Sequence, residues 1–275
     1  MFKKICFYTM PFPRIQSYRQ LIDLAAEYEM EAVEGFCQYE FVEPDIEKAK
    51  ELRAYADSKG IKFSCFSLFC NLVGEDRREQ IERLKKYVEV CAVLGSPYIH
   101  HTIANEIEEP NNVLPHADEY YKRGIEAVRE IYDHAEKFGV RAVYEDQGYL
   151  FNGVENFGRF LCDVDRNVGV VADFGNIYHV EEEIDDFIKN FKDRICHVHV
   201  KDVKLSDKQL GGGLHTSKLN FMYESILGEG CVRFKEAMKL LRDMGYDGYY
   251  SLEYGAPEDD SPLIDKTLKK IAEAI

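Results

Sequence analysis

Three carboxylates and one imidazole stand late in four successive strand-like runs: Glu145 in "RAVYEDQG", Asp173 in "VGVVADFGN", His199 in "ICHVHVKD" and Glu253 in "GYYSLEYG". Each follows a few mostly apolar residues, so each would project near the end of its strand. Three like charges gathered in one cleft repel strongly unless a cation neutralises them, so convergence of the four predicts a bound divalent metal. An oxygen-rich donor set with one imidazole nitrogen is assigned first to Mn²⁺, with Mg²⁺, Co²⁺ and Zn²⁺ also compatible.

The run "ICHVHVKD" places two histidines two apart inside a segment that otherwise reads as a buried strand. Side chains alternate between the faces of a strand, so residues 195, 197, 199 and 201 share one face. If His199 points at the metal, His197 points the same way one layer deeper, to orient or pack beneath it. Glu34, in an earlier apolar run, would be a buried carboxylate in need of a partner that the sequence does not identify. Asn176, His179 and Lys201 follow the ligand positions closely and are read as candidate substrate contacts. So is His101, although it and His100 adjoin in one strand and only one of them can face inward. His215 and Lys218, in the glycine-rich stretch "GGGLHTSKLN", are weaker candidates of the same kind.

Eight strand-like runs, starting near residues 4, 32, 62, 97, 141, 168, 195 and 248, must position these groups. Between them lie segments of helical period, such as Ile81, Leu84, Val88, Cys91 and Leu94, or Ile264, Leu268, Ile271 and Ile275. Strand alternating with helix means parallel strands joined by helical crossovers. Eight such units, with no glycine-rich phosphate turn after the first, predict a closed (β/α)8 TIM barrel, a single α/β domain over residues 1–275. In such a barrel the site forms at the C-terminal strand ends, where the four residues stand. The longest step, between the seventh and eighth runs, holds "GGGLHTSKLN" and is expected to be a functional loop over the site.

Composition narrows the function. The chain of 275 residues is 45% hydrophobic and 31% charged, which is ordinary globular material, and no apolar stretch is long enough for a membrane span. A formal charge of -15 repels phosphate backbones, so no nucleic-acid partner is expected. Eight scattered cysteines without CxxC spacing read as reduced thiols, and the amino-terminal segment lacks a secretory cleavage pattern, so a cytoplasmic location is expected.

The motifs resemble the sugar phosphate isomerase/epimerase superfamily, the xylose isomerase-like TIM barrels that also include endonuclease IV. The matching stretches are "VYED", "VVADFGN", "HVHVKD", "LGEG" at 227–230 and "GYDGYYSLEYG". The resemblance implies one divalent metal held by Glu145, Asp173, His199 and Glu253. It also implies a sugar or keto-sugar substrate, an enediolate route, Glu145 and Glu253 as the two proton-handling residues, and a possible homo-oligomer. The expected activity is that of a metal-dependent isomerase or epimerase; the alternative is a dehydratase or lyase that eliminates a β-leaving group. Asn176 stands where similar ketose 3-epimerases often have histidine, and "HVHVKD" lacks the arginine those enzymes place nearby, so the sequence departs from the 3-epimerase pattern at these two points. The endonuclease branch uses more histidines at strand ends than this chain offers.

Overall fold

The computed structural model describes residues 2–8, 15–104, 114–253 and 261–274, the side chains of 261–263 apart. Thr9, Met10, Tyr254, Gly255 and Ile275, which belong to the runs and stripe read from the sequence, lie outside the described residues.

Eight parallel strands close into a barrel. Seven come in order: β1 (Ile5–Tyr8), β2 (Ala32–Phe36), β3 (Lys62–Leu68), β4 (Tyr98–His101), β5 (Arg141–Glu145), β6 (Gly169–Asp173) and β7 (Ile195–Val200). A separate antiparallel sheet of β8 (Asp202–Ser206), β9 (Leu214–His215) and β10 (Phe221–Ser225) follows, in the order β8-β10-β9. The last barrel strand, β11 (Tyr250–Leu252), then pairs with both β7 and β1 and closes the ring. The helices α1 (Tyr18–Glu27), α2 (Ile46–Lys59), α3 (Arg77–Leu94), α4 (Ala117–Ala135), α5 (Val154–Val164), α6 (Ile184–Phe191), α7 (Phe234–Asp243) and α8 (Ser261–Ala272) alternate with the strands.

Local chemistry sets the helix ends. Asp45 caps α2 by accepting the N–H groups of Glu47 and Lys48 at 3.0 Å, and Gly60 ends the helix at φ 72°, a left-handed conformation that glycine adopts without steric penalty. The predicted stripe of α3 is buried: Ile81, Leu84, Val88, Cys91 and Leu94 all face the barrel. The main apolar core lies between strands and helices, while a small cluster of Cys65, Val143 and Val171 fills the barrel interior. Above that cluster the interior turns polar, and the site begins.

The long step after β7 is not a plain loop. Its three-stranded sheet is tied down at its base by Asp202, whose carboxylate accepts the N–H groups of Val203, Gly228, Gly230 and Val232 at 2.8–3.0 Å. The "LGEG" stretch supplies two of those donors. A Cβ on Gly230 would stand 2.1 Å from Asp202 Oδ1, so only glycine permits this approach.

Candidate metal centre

Register carries the four predicted ligands to one level. Asp173 on β6 pairs with His199 on β7, and His199 pairs with Ser251 on β11, so Glu253 lies just past the end of β11 beside Val200. Glu145 ends β5 on the far side of β6. Each of the four residues offers a donor atom, and these atoms all lie within 4.8 Å of one another. His199 Nδ1 is 3.1 Å from Glu145 Oε2, 3.2 Å from Glu253 Oε2 and 3.6 Å from Asp173 Oδ2. Three carboxylate oxygens around one imidazole nitrogen, in a buried setting at the C-terminal strand ends, fit a hard or borderline divalent ion.

The other face of His199 explains Glu34. Its carboxylate is fully buried and accepts from His199 Nε2 at 3.0 Å, from His197 Nε2 at 2.7 Å and from Ser67 Oγ at 2.6 Å. Burial favours the neutral acid, but the two histidines outweigh it and hold the Glu34 carboxyl well below the ordinary carboxylate range. With Nε2 engaged by Glu34, His199 presents Nδ1 to the acid cluster. His197 does lie on the same face as His199, as strand alternation requires.

Lys201 closes the remaining side. Its Nζ lies 2.9 Å from Asp173 Oδ2 and 3.3 Å from Glu253 Oε1. Burial opposes its charge, yet Asp173, Glu253 and Glu145 hold its pKa well above the usual lysine value. Asp173 is further fixed through Oδ1, which accepts the N–H groups of Gly175 and Asn176 at 2.8 Å. Asp146, adjacent to Glu145 and passed over in the sequence, is fully buried and accepts the Asp173 N–H at 3.2 Å. Burial, then the charges of Asp173 and Glu145, push its carboxyl well above the ordinary range.

A cavity of about 320 Å³ opens over the cluster. One wall is aromatic: Tyr8 meets Phe36 edge-on at 5.8 Å, and Phe36 meets Phe69 at 5.0 Å. The opposite wall is polar and includes Asn176, His179, Lys201 and Glu224. Of the two adjacent histidines, His100 lines this cavity, with Nε2 3.6 Å from Glu145 Oε2. His101 does not reach it: its Nε2 is bonded to the Tyr144 hydroxyl at 3.0 Å and its Nδ1 faces the Thr102 carbonyl, on the other face of β4. Of the pair, it is therefore His100 and not the expected His101 that faces the cavity. Neither His215 nor Lys218 lines the cavity. A cleft of about 370 Å³ elsewhere on the barrel, lined by Tyr98, Cys196 and Tyr246, contains none of the cluster residues.

Comparison with known proteins agrees with this fold. The family model described as xylose isomerase-like TIM barrel matches residues 22–274. The chain spans about half the length of the inosose dehydratase of Bacillus licheniformis, at 28% identity over 144 residues covering 50% of this chain and 47% of that protein. The inosose isomerase of the same organism is 24% identical over 222 residues, 78% of this chain and 74% of that protein. Among solved structures, the 3-keto-D-glucoside 4-epimerase of E. coli superposes with a TM-score of 0.75 at 16% identity, covering 99% of this chain and 98% of that one.

Proposed function

We propose that this chain, which belongs to the xylose isomerase-like TIM-barrel family, is a divalent-metal-dependent isomerase or epimerase of a hydroxyketone sugar or cyclitol. The observation that carries the reading is the convergence of Glu145, Asp173, His199 and Glu253 beneath a cavity with one aromatic and one polar wall. An ion held by these four, Mn²⁺ or Mg²⁺ first, would supply Lewis-acid polarisation of a substrate carbonyl and its neighbouring hydroxyl.

The chain's own residues then handle the proton. Glu145 and Glu253 come from strands separated by β6 and β7, so they reach a ring lying across the cavity from different sides. One carboxylate removes the proton next to the ketone, giving an enediolate, and the other returns a proton to the opposite face; that outcome is epimerisation. Return from the same face to the former carbonyl carbon, while the proton of the neighbouring hydroxyl passes to the former carbonyl oxygen, is isomerisation. The aromatic wall accepts the C–H face of the ring, and Asn176 and His179 offer hydrogen bonds to its hydroxyls.

The substrate class follows from charge. Among the described residues Lys201 is the one lysine or arginine lining the cavity, and it is already paired with Asp173 and Glu253. Glu224 adds a further carboxylate to the rim. An acid-rich cavity of this kind favours a neutral polyol over a phosphorylated sugar. The curated relatives are named for inosose, and the structural neighbour for a 3-keto-glucoside. Both are six-membered polyol rings bearing one ketone, and we take that class as the substrate.

Dehydration is the second reading, favoured by Lys201. Loss of a β-hydroxyl needs a proton delivered to the departing oxygen so that water leaves. A cationic N–H donor beside Glu253 can deliver it. The free state of all eight cysteines supports a reducing compartment such as the cytoplasm.

The test is NMR in D₂O with an inosose and a methyl 3-keto-glucoside, using Mg²⁺- or Mn²⁺-loaded protein and an EDTA-treated control. Metal-dependent deuterium uptake next to the ketone with a new epimer or isomer supports the first reading, and loss of water supports the second. No exchange with either ketone would overturn both.

A further inference from the structure

A second cavity, again of about 320 Å³, lies under the small sheet of β8, β9 and β10. It shares Asn176, His179, Lys201, Leu214 and Glu224 with the cavity over the metal cluster, so the two adjoin. None of the four cluster residues lines it. We propose that it is a subsite for a second sugar ring, so that the preferred substrate is a two-ring keto-glycoside whose ketone-bearing ring sits over the cluster. The proposal rests on the ring-ketone reading above.

Three observations support it. Asn176 Nδ2 and His179 Nδ1 are buried without hydrogen-bond partners, on residues only 5% and 7% exposed, at the junction of the two cavities. Buried polar groups are normally satisfied, and hydroxyls on a ligand spanning the junction would satisfy these. The rest of the wall suits a sugar ring, with Val203, Leu214 and Met222 as an apolar floor and the Tyr223 ring and Glu224 carboxylate at the edge.

The third observation is that the roof is fixed in place. Ser217 N–H donates to the His179 carbonyl at 2.7 Å, Asn220 Nδ2 donates to Glu181 at 2.8 Å, and the Tyr149 hydroxyl donates to the His215 carbonyl. Gly213, at φ 153°, lets the chain pass against the Tyr223 ring; a Cβ there would stand 2.5 Å from Tyr223 Cε1. The "GGG" run thus shapes a cavity wall. A recess whose wall is held in this way costs little ordering on binding.

The test compares methyl 3-keto-β-D-glucopyranoside with 3′-ketocellobiose, by calorimetric binding and by exchange in D₂O, on Mg²⁺-loaded wild type, Met222→Trp and Gly213→Ala. The wild type should bind the two-ring ketone about tenfold more tightly or better. Met222→Trp, which fills the recess, should erase that advantage and leave one-ring binding within about twofold. Gly213→Ala, a milder change, should reduce the advantage in the same direction. Equal binding of the two ketones by wild type overturns the subsite, as does equal weakening of both in the variants. Tight two-ring binding without exchange leaves the subsite standing and overturns the enzymatic reading. Exchange of both ketones with equal affinity does the reverse, and no binding of either overturns both.

Discussion

Glu34 Oε1 lies 3.0 Å from His199 Nε2, a contact across the barrel interior that directs the opposite ring nitrogen toward the three acids. A carboxylate fixing the far nitrogen of a metal-binding imidazole sets its tautomer and raises its basicity. Glu34→Gln should therefore weaken metal binding by roughly 10–100-fold while leaving the ligands themselves in place. Titration with Mn²⁺ followed by EPR would check this, and an unchanged affinity would remove Glu34 from the positioning of His199.

Metal should also stabilise the fold, because only the closed barrel brings the four donors together. At a free Mg²⁺ or Mn²⁺ concentration about 100 times Kd, binding adds about 2.7 kcal/mol. For a chain of this size that is a rise of roughly 5–10 °C in Tm. Differential scanning calorimetry should show the rise in the wild type and not in His199→Ala. An equal rise in both would place the ion elsewhere.

Glu253→Gln keeps the shape of the side chain and removes the base. Deuterium exchange should fall by about 10²-fold or more, with the far-UV CD spectrum unchanged. Wild-type exchange in this variant would remove Glu253 from proton transfer and leave Glu145 to act alone.

His101 packs against Tyr144 on the other face of β4, away from the cavity. Burial, the largest effect, pushes its pKa down to about 4, so the folded protein holds it neutral. The unfolded chain takes up that proton near pH 6.5, so the stabilising contribution is complete above pH 6.5 and is lost as the pH falls toward 4, by up to about 3 kcal/mol. His101→Phe in EDTA should lose less stability than the wild type between pH 7.5 and 5 in urea unfolding. Identical slopes would mean that His101 already carries its proton when folded.

How far the sequence reaches is visible in single residues. Alternation along "ICHVHVKD" places both histidines inside the barrel because strand geometry is local, and the structure agrees. The partner of Glu34 was not legible, since its contacts join residues 163 and 165 positions apart and depend on closing the ring. The same period-two rule says that His100 and His101 face opposite ways but not which faces inward. Asp146 was hidden by a related limit: it was not singled out beside Glu145, because its burial against the Asp173 backbone depends on the pairing of β5 with β6 and not on its own strand. The small sheet was missed because its central segment, "SDKQLGGGLHTSKLN", carries turn residues and charges that outnumber its short paired stretches.

Asp202 gives the chain a further property. By gathering four backbone donors from the two ends of the excursion that leaves β7, one carboxylate fastens its base. Beyond that clasp the excursion is held to the loops that follow β5 and β6, by the Tyr149 hydroxyl on the His215 carbonyl, Ser217 N–H on the His179 carbonyl and Asn220 on Glu181. Between these fastenings the excursion is a cassette that evolution or an engineer could shorten, extend or exchange to retune which substrates are admitted, while the chemistry beneath stays where it is.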